Sequence, residues 1–283
     1  MSIIKRKRRW VWVVLLVTLW LLCSGMASAT PLLERLSQFP QWDRSPPVGA
    51  VRGDLLYPAW FAGTWTVTAT LVDMAAPFAP DLVSPGFESN RQYLNEPVRF
   101  QARFIQPAPP SAKFPPFLAQ LRLQRSGDIV ADRAFNGLNL TRAYLNQAEA
   151  GLGDCLVRQV KVDPADPNRQ VTLMKGDRQL TSRVIGRAVE VPCADASRDG
   201  CNQFVATEVM QQVFRGIPQP YINQVETTTA YHYQPDQPAP ITADQATAVY
   251  LSPQDPNYFV ARSRPVALYR YQLMFERASK RPE

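Results

Sequence analysis

Polar and apolar residues alternate with a period of two along much of this chain. Over residues 64–71, threonines occupy every second position, and the positions between them are apolar: Trp65, Val67, Ala69 and Leu71. A two-residue period is that of a β-strand with one buried face. The same alternation recurs at residues 98–105 and 265–277. The pattern therefore predicts a protein built mainly from strands.

Eight further strands are predicted, and turn-forming residues separate most of them. They lie at residues 118–125, 155–162, 170–175, 180–191, 202–215, 223–234, 246–251 and 257–262. Helical spacing is limited to residues 31–39 and 138–149, so consecutive strands should pair antiparallel. A sheet of this size must protect its edge strands from pairing with other chains, and closing the sheet into a barrel removes the edges completely. The prediction is an all-β antiparallel barrel of 8–10 strands with a short N-terminal helix.

The first 29 residues have the features of a secretory signal peptide. Basic residues at 5–9 precede an apolar run at 10–22, and Ala27-Ser28-Ala29 follows as a small-residue cleavage site. The apolar run is shorter than the ~20 residues of a membrane-spanning helix, although an uncleaved anchor is the alternative. We therefore expect an exported protein of the periplasm or thylakoid lumen, soluble or peripheral to the membrane.

The strong positive charge belongs mostly to this leader. The whole chain has 31 Lys and Arg against 24 Asp and Glu, a net charge of +7. Residues 1–29 hold five of the basic residues and no acidic one, so the remainder carries 26 basic and 24 acidic residues. A net charge near +2 does not favour nucleic acid as a partner.

The remaining chain divides into an arm and a barrel domain. Residues 30–54 predict a helix followed by a proline-rich extended arm, and residues 55–283 predict the barrel. A proline-rich loop at residues 75–97 is too long for a simple hairpin. Its aromatic residues Phe78, Phe87 and Tyr93 could cover the barrel mouth as a lid, dock a partner, or pack as core residues.

Three cysteines follow the predicted leader. Cys193 and Cys201 flank a polar turn between two predicted strands, which favours a disulfide over two free thiols in an exported protein. Cys155 has no evident partner and is predicted to be a small core residue. The spacing of cysteine and histidine predicts no metal site.

The turn Gly63-Thr64-Trp65, placed after a helix and an extended lead-in, resembles the start of the first strand in calycin barrels, the lipocalins and their relatives. The resemblance implies that Trp65 plugs the closed end of a barrel and that an arginine from a late strand packs over it. The candidates for that arginine are Arg262, Arg264 and Arg270. The wider stretch 53–90 also resembles an uncharacterised exported family of cyanobacteria and chloroplasts, which implies a periplasmic or lumenal location.

Catalytic residues are not evident in the sequence. The single histidine, His232, is predicted to be a solvated strand residue, and a haem ligand is the alternative if it faces the interior. The carboxylates considered as an acid/base pair are Asp73, Glu88, Glu208 and Glu226. Nothing in the sequence brings two of them together. Whether the protein is an enzyme stays open, although the sequence favours a non-enzymatic role.

We expect a barrel that binds an apolar small molecule such as a lipid, carotenoid, quinone or tetrapyrrole. The sequence does not predict which residues contact it or which of these it is. The alternative is an interaction or assembly protein for a photosynthetic or envelope membrane complex. A hollow interior would favour the first function, and a filled interior would favour the second.

Overall fold

The computed structural model describes residues 32–107, 127–148, 156–193, 199–216 and 218–278. Ten strands form one antiparallel sheet: β1 Gly63–Ala75, β2 Pro97–Ile105, β3 Val130–Ala131, β4 Val157–Asp163, β5 Asp166–Met174, β6 Gln179–Glu190, β7 Gln203–Arg215, β8 Tyr221–Tyr233, β9 Ile241–Leu251 and β10 Ala267–Arg277. Their spatial order is β3-β2-β1-β10-β9-β8-β7-β6-β5-β4. The predicted leader, the predicted strand at 118–125 and Cys155 lie outside the described residues.

The sheet curls strongly into a half-barrel but does not close, so the prediction of a closed barrel was wrong. The first and last strands in the order, β3 and β4, do not pair with each other. The accumulated twist of the strands gives the sheet a concave and a convex face. Closure is absent because other parts of the chain occupy the gap between the two edges.

A helix and the N-terminal arm bridge that gap. Helix α2, Arg133–Ala148, packs on β2 at one edge and on β4 and β5 at the other. Gly137 allows a close approach there, because a Cβ at this position would lie 2.8 Å from Nε2 of Gln170. Residues 49–57 span the opening separately, since Gly49 pairs with Arg187 of β6 and Tyr57 pairs with Ile129 beside β3.

Helix α2 is longer than the predicted segment at 138–149. The Asp132 carboxylate accepts a hydrogen bond from the Phe135 backbone N–H at 3.1 Å, which satisfies a free donor of the first turn. The Asn136 N–H also donates to the Asp132 carbonyl oxygen at 2.8 Å. A capping aspartate therefore starts the helix five residues before the predicted start.

The predicted strand at 257–262 is instead a one-turn helix, α3 (Tyr258–Ala261). Its N–H groups bond within the turn, with Ala261 N–H donating to the Asn257 carbonyl oxygen at 3.1 Å. Arg262 has a φ of 55° and ends the turn. The chain must reverse here between β9 and β10, so the apolar residues of this segment cannot extend a ladder.

The N-terminal arm covers the middle of the convex face. Helix α1, Leu32–Ser37, lies over β6, β7, β8 and β9. One cluster joins it to the sheet: Leu36, Phe39, Trp42, Ala246, Ala248, Tyr250 and Leu268. Small alanines on β9 let the arm approach closely, and its burial stabilises a surface that a bare sheet would expose to water.

Candidate functional site

The concave face encloses a cavity of about 550 Å³. Strands β1, β2 and β10 form one wall, strands β7, β8 and β9 form the other, and α2 lies across the opening. Leu140 of α2 lines the cavity and is 40% exposed. The interior is therefore hollow, and its rim at α2 reaches solvent.

The two walls differ in polarity. The wall of β1, β2 and β10 is apolar and aromatic: Val67, Ala69, Phe100, Ala102, Phe104, Tyr271, Leu273 and Phe275. The wall of β7, β8 and β9 carries most of the neutral polar groups: Gln212, Thr227, Thr229, Gln245 and Thr247. We call these the apolar wall and the polar wall. A bound molecule would meet hydrocarbon on one side and hydrogen-bonding groups on the other.

Strand alternation places these polar side chains inside. On β8, Val225, Thr227 and Tyr231 all line the cavity, as the two-residue period requires. The cross-strand register pairs Thr227 with Thr247, which puts both hydroxyl groups on the same face. Thr229 donates from its hydroxyl to Oε1 of Gln245 at 3.2 Å. The polar wall is thus partly hydrogen-bonded within itself.

A charged group lies beside the polar wall, and it joins α2, the arm and the sheet. Arg133 of α2 donates to Asp54 Oδ1 at 2.8 Å and to Glu208 Oε1 at 2.9 Å. Arg187 of β6 donates to the same Glu208 oxygen at 2.6 Å. Two arginines and two carboxylates neutralise one another here, and we call this set the inner charge cluster.

Glu208 and Arg133 of the inner charge cluster stay ionised. Burial alone would raise the pKa of Glu208, but the charges and hydrogen bonds of Arg133 and Arg187 outweigh it and hold that pKa below its usual range. Burial likewise opposes the charge of Arg133, yet Glu208 and Asp54 raise its pKa. The cluster therefore holds α2 across the opening through charge-assisted hydrogen bonds.

Tyrosine hydroxyl groups add uncharged donors to the cavity. Burial raises the pKa of Tyr231 to about 12 and that of Tyr144 to about 12. Burial also raises the pKa of Tyr57 well above its usual range, with Tyr231 and Glu208 adding to the shift. These side chains remain protonated at neutral pH and can both donate and accept a hydrogen bond.

The Gly63-Thr64-Trp65 turn closes one end of the half-barrel, which we call the plug end. Trp65 is 0% exposed, and its indole N–H donates to the Phe61 carbonyl oxygen at 2.7 Å. Gly63 has a φ of 118°, a conformation that glycine adopts without strain. The arginine over the Trp65 ring is Arg277, at 4.5 Å.

None of the three arginines suggested by the sequence occupies that place. Arg264 lies over Phe78, Arg270 bonds Asp244, and Arg262 is exposed. The register of β1 and β10 pairs Trp65 with Arg277, so the two side chains share a face. Only the strand pairing reveals this neighbour, because the two positions are far apart in sequence.

The proline-rich loop closes the opposite end, which we call the loop end. Phe87 is buried and packs against Tyr269, with ring centroids 5.7 Å apart. The Tyr93 hydroxyl donates to the Tyr144 carbonyl oxygen of α2 at 3.1 Å. Phe78 packs against the same cluster as Phe87. The loop is therefore a packed cover for this end, and its three aromatic residues are all engaged within the chain.

The remaining candidate residues do not form a reactive site. His232 alternates with the cavity-lining Tyr231 and faces the convex side, so it does not point into the interior as a haem ligand would. Asp73 is exposed, and Glu88 pairs with Arg91 on the surface. Glu208 is half-buried and Glu226 is buried, and they lie on opposite faces of the sheet.

Cys193 and Cys201 form a disulfide beside the plug end. The backbone carbonyl of Cys201 accepts a hydrogen bond from the Trp60 indole at 3.1 Å, and Trp60 stacks on Tyr233. The disulfide closes the β6–β7 connection on itself, and the hydrogen bond from Trp60 ties that connection to the turn before β1. Among the described residues, no group of three or more His, Cys, Asp or Glu side chains could hold a metal ion.

Sequence reasoning missed Arg133 and Arg187 as parts of the site. One signal was available for their partner: Glu208 falls on the inward period of β7, between Ala206 and Met210. A charged residue at an inward position needs a buried counter-charge. The sequence cannot say which arginine supplies it, since α2 reaches β7 only through the tertiary fold.

The cavity, its two walls and the half-barrel around it can be compared with known proteins. A family model for a domain of unknown function, DUF6816, matches residues 49–279. The chain belongs to the DUF6816 family. No curated protein and no solved structure matches it. In this DUF6816 protein the matched region includes all ten strands, α2 and the part of the arm that bridges the sheet edges.

No helix in the described part of this DUF6816 chain has the length and apolar character that crossing a membrane requires.

Proposed function

We propose that this DUF6816 protein binds a small molecule with a largely apolar body in its concave interior and does so without enzymatic turnover. The hollow interior carries the proposal: about 550 Å³ lies within the ~300–1,000 Å³ typical of ligand pockets. The apolar wall would contact the ligand body, as in the lipocalin-like barrels that the Gly63-Thr64-Trp65 turn resembles. A lipid, carotenoid, quinone or tetrapyrrole has such a body.

Both ends of the cavity support retention of a ligand. Trp65 and its neighbours fill the plug end, and the proline-rich loop packs over the loop end. A molecule held between them is shielded from water at both ends, and α2 covers part of the open side. Binding in this proposal takes place in an exported protein, and the Cys193–Cys201 disulfide supports an oxidising compartment.

Solvent extraction of the natively purified protein tests the proposal directly. We expect mass spectrometry to find one apolar compound at near-equimolar amount. Met210→Trp, which adds a large side chain to the cavity, should reduce this amount at least tenfold. Met274→Trp is the matched control, because Met274 is 47% exposed and lies on the convex face between two cavity-lining residues.

The result that would overturn the proposal is equally direct. Purified protein that carries no small molecule, and that fails to bind the uncharged fluorescent probe N-phenylnaphthylamine, would show that the cavity is not a binding site. Equal retention of a compound by both tryptophan variants would place the binding elsewhere on the molecule.

A second candidate function is docking onto a membrane protein complex, and one surface favours it. On α3, Phe259 is 83% exposed and Val260 is 62% exposed. They project from the loop end, where Arg264 packs over Phe78 of the proline-rich loop. Exposed large apolar residues at the tip of a connection are typical of contact surfaces.

Substitution at this tip separates docking from ligand binding. We expect Phe259→Ser with Val260→Ser to abolish co-purification with a membrane complex in gentle detergent, while Met274→Ser retains it. Deleting residues 75–97 would not test docking alone, because it would also remove Phe87 from the hydrophobic core. A protein that elutes as a free monomer in such extracts, before any substitution, would contradict docking.

A further inference from the structure

The charges beside the cavity cancel within the inner charge cluster. Among the described residues that line the cavity, Arg133 and Glu208 are the two with ionisable Arg, Lys, His, Asp or Glu side chains. They bond each other, and their outer partners Asp54 and Arg187 complete a set with two positive and two negative charges. The cavity therefore offers no unbalanced charge to a ligand.

Most of the N–H donors of these two arginines are also occupied. Nε and Nη2 of Arg133 donate to Asp54, and its Nη1 and Nη2 donate to Glu208. Arg187 donates to Glu208, to Asn168 Oδ1 at 2.8 Å and to the Gly53 carbonyl oxygen at 3.2 Å. An incoming carboxylate would lose its water without gaining a free cation, and burying an unpaired ion is costly.

Neutral polar groups, by contrast, are available along one side. The polar wall presents amide and hydroxyl side chains from β7, β8 and β9, and Gln170 of β5 adds another amide. Such groups both donate and accept, so they suit carbonyl or hydroxyl oxygens of an uncharged molecule. The apolar wall faces them across the cavity.

Resting on the proposed binding function, we infer that the ligand is uncharged and carries hydrogen-bonding oxygens along one edge, with a hydrocarbon face opposite. Its oxygens lie toward the polar wall and its hydrocarbon toward β1, β2 and β10. A quinone or a hydroxylated ring compound has this chemistry. A free fatty acid or a pigment with ionised carboxylates does not.

Three probes that share a six-membered ring with four methyl groups test the inference by calorimetric titration. Duroquinone is uncharged with two carbonyl oxygens, durene is the corresponding hydrocarbon, and tetramethylbenzoate is an anion of similar shape. We expect duroquinone to bind at least tenfold more tightly than either of the others. Equal or tighter binding of tetramethylbenzoate, or equal binding of durene, would overturn the inference and leave the cavity as a binding site. No binding of any probe would overturn the proposed function as well.

Glu208→Gln provides a second, gain-of-function test. Removing this carboxylate leaves Arg133 and Arg187 with a surplus positive charge beside the cavity. Tetramethylbenzoate should then bind at least tenfold more tightly than it does to the unsubstituted protein. Glu276→Gln is the control, because it removes the same charge from the convex side of β10, next to the cavity-lining Phe275.

Near-ultraviolet circular dichroism would establish that both variants are folded. Unchanged affinity of a folded Glu208→Gln protein for tetramethylbenzoate would overturn the inference, because the anion would then be excluded for a reason other than charge balance. An equal gain in Glu276→Gln would also overturn it, since the effect would follow the total charge of the protein.

Discussion

Two carboxylates on neighbouring strands occupy opposite faces of the sheet, and each is held by an arginine from a helix that packs on that face. On the concave face, Glu208 of β7 bonds Arg133 of α2. On the convex face, Glu226 of β8 bonds Arg35 of α1 through Nε at 2.7 Å and Nη2 at 2.9 Å. The same chemistry fastens a helix to each face.

The two sites differ in how completely they exclude water. Glu226 is 0% exposed, and it also accepts hydrogen bonds from the Tyr250 hydroxyl at 2.7 Å and the Thr228 hydroxyl at 3.0 Å. Glu208 lies beside a hollow space and shares two arginines. The convex site is sealed and structural, whereas the concave site leaves room beside it for a ligand.

The largest loss of stability should follow from breaking the ion pair between Arg35 and Glu226 on the convex face. Arg35→Met leaves the Glu226 carboxylate buried without a cation, and it also removes the guanidinium that lies 3.9 Å from the Trp42 ring centroid. Loss of one partner of a buried ion pair costs about 3–5 kcal/mol. Urea unfolding should show a loss of this size in the free energy of unfolding.

The double variant Arg35→Met with Glu226→Leu is the control for that substitution. Removing both charges should restore part of the lost stability, because no buried ion is left unpaired. If Arg35→Met alone has the same free energy of unfolding as the unsubstituted protein, the inference that the convex site excludes water is wrong.

A smaller effect is expected from the equivalent change on the concave face. Arg133→Met leaves Glu208 with Arg187, and the adjacent cavity can admit water to the exposed side of the carboxylate. We expect a loss of about 1–3 kcal/mol in the same urea titration, typical of a partly compensated polar group. A loss greater than that of Arg35→Met would reverse the comparison.

The concave site should also show a pH dependence of stability. The pKa of Glu208 is lowered in the folded protein, so its ionised form stabilises the fold above the ordinary glutamate pKa of about 4.3. This stabilisation is lost as the pH falls through the folded-state pKa. Glu208→Gln should therefore cost about 1 kcal/mol at pH 7 and progressively less on acidification.

Urea unfolding of both proteins between about pH 7 and pH 3 measures this difference. A gap between the two proteins that stays constant or widens at low pH would contradict the assigned ionisation of Glu208. Glu276→Gln is again the control. Glu208 accepts hydrogen bonds from Arg133 and Arg187, whereas Glu276 lies on the convex side of β10, away from both arginines.

The smallest effect is expected at an ion pair on the convex face that the arm touches through Phe39 but leaves partly exposed. Arg270 donates to Asp244 at 2.6 Å, but both side chains are about one-third exposed. Arg270→Ala should lower the free energy of unfolding by about 0–1 kcal/mol, because water and salt screen such pairs. A loss as large as that of Arg35→Met would show that the burial of an ion pair on the convex face does not determine how much stability is lost when it is broken.

Much of the fold could be predicted from alternation alone. The period of two located most strands to within a few residues, and it placed Trp65, Val67 and Ala69 on the buried side of β1. It failed at 257–262, where apolar residues form a turn of helix, and at 133–137, where Asp132 starts α2 earlier than the helical spacing indicated. Both failures lie where a connection between strands has its own hydrogen bonds.

The candidate site was predicted less completely, for a physical reason. The sequence indicated Glu208 as a candidate carboxylate and the loop at 75–97 as a lid, a docking segment or core, but the arginines of the site come from α2 and β6. Arg133 and Glu208 are 75 residues apart, and Arg277 reaches Trp65 from the last strand. Neighbours of this kind depend on strand register and helix placement, which local periodicity does not contain.

The amino-acid sequence by itself determined most strands, the antiparallel pairing of consecutive strands, the glycine-tryptophan turn and the disulfide spacing, because each depends on residues close together in the chain. The tertiary structure alone decided that the sheet stays open, that α2 and the arm bridge its edges, and that a cavity remains between an apolar and a polar wall. Closure depends on how twist accumulates over ten strands and on what packs into the gap. The hollow interior follows from that geometry.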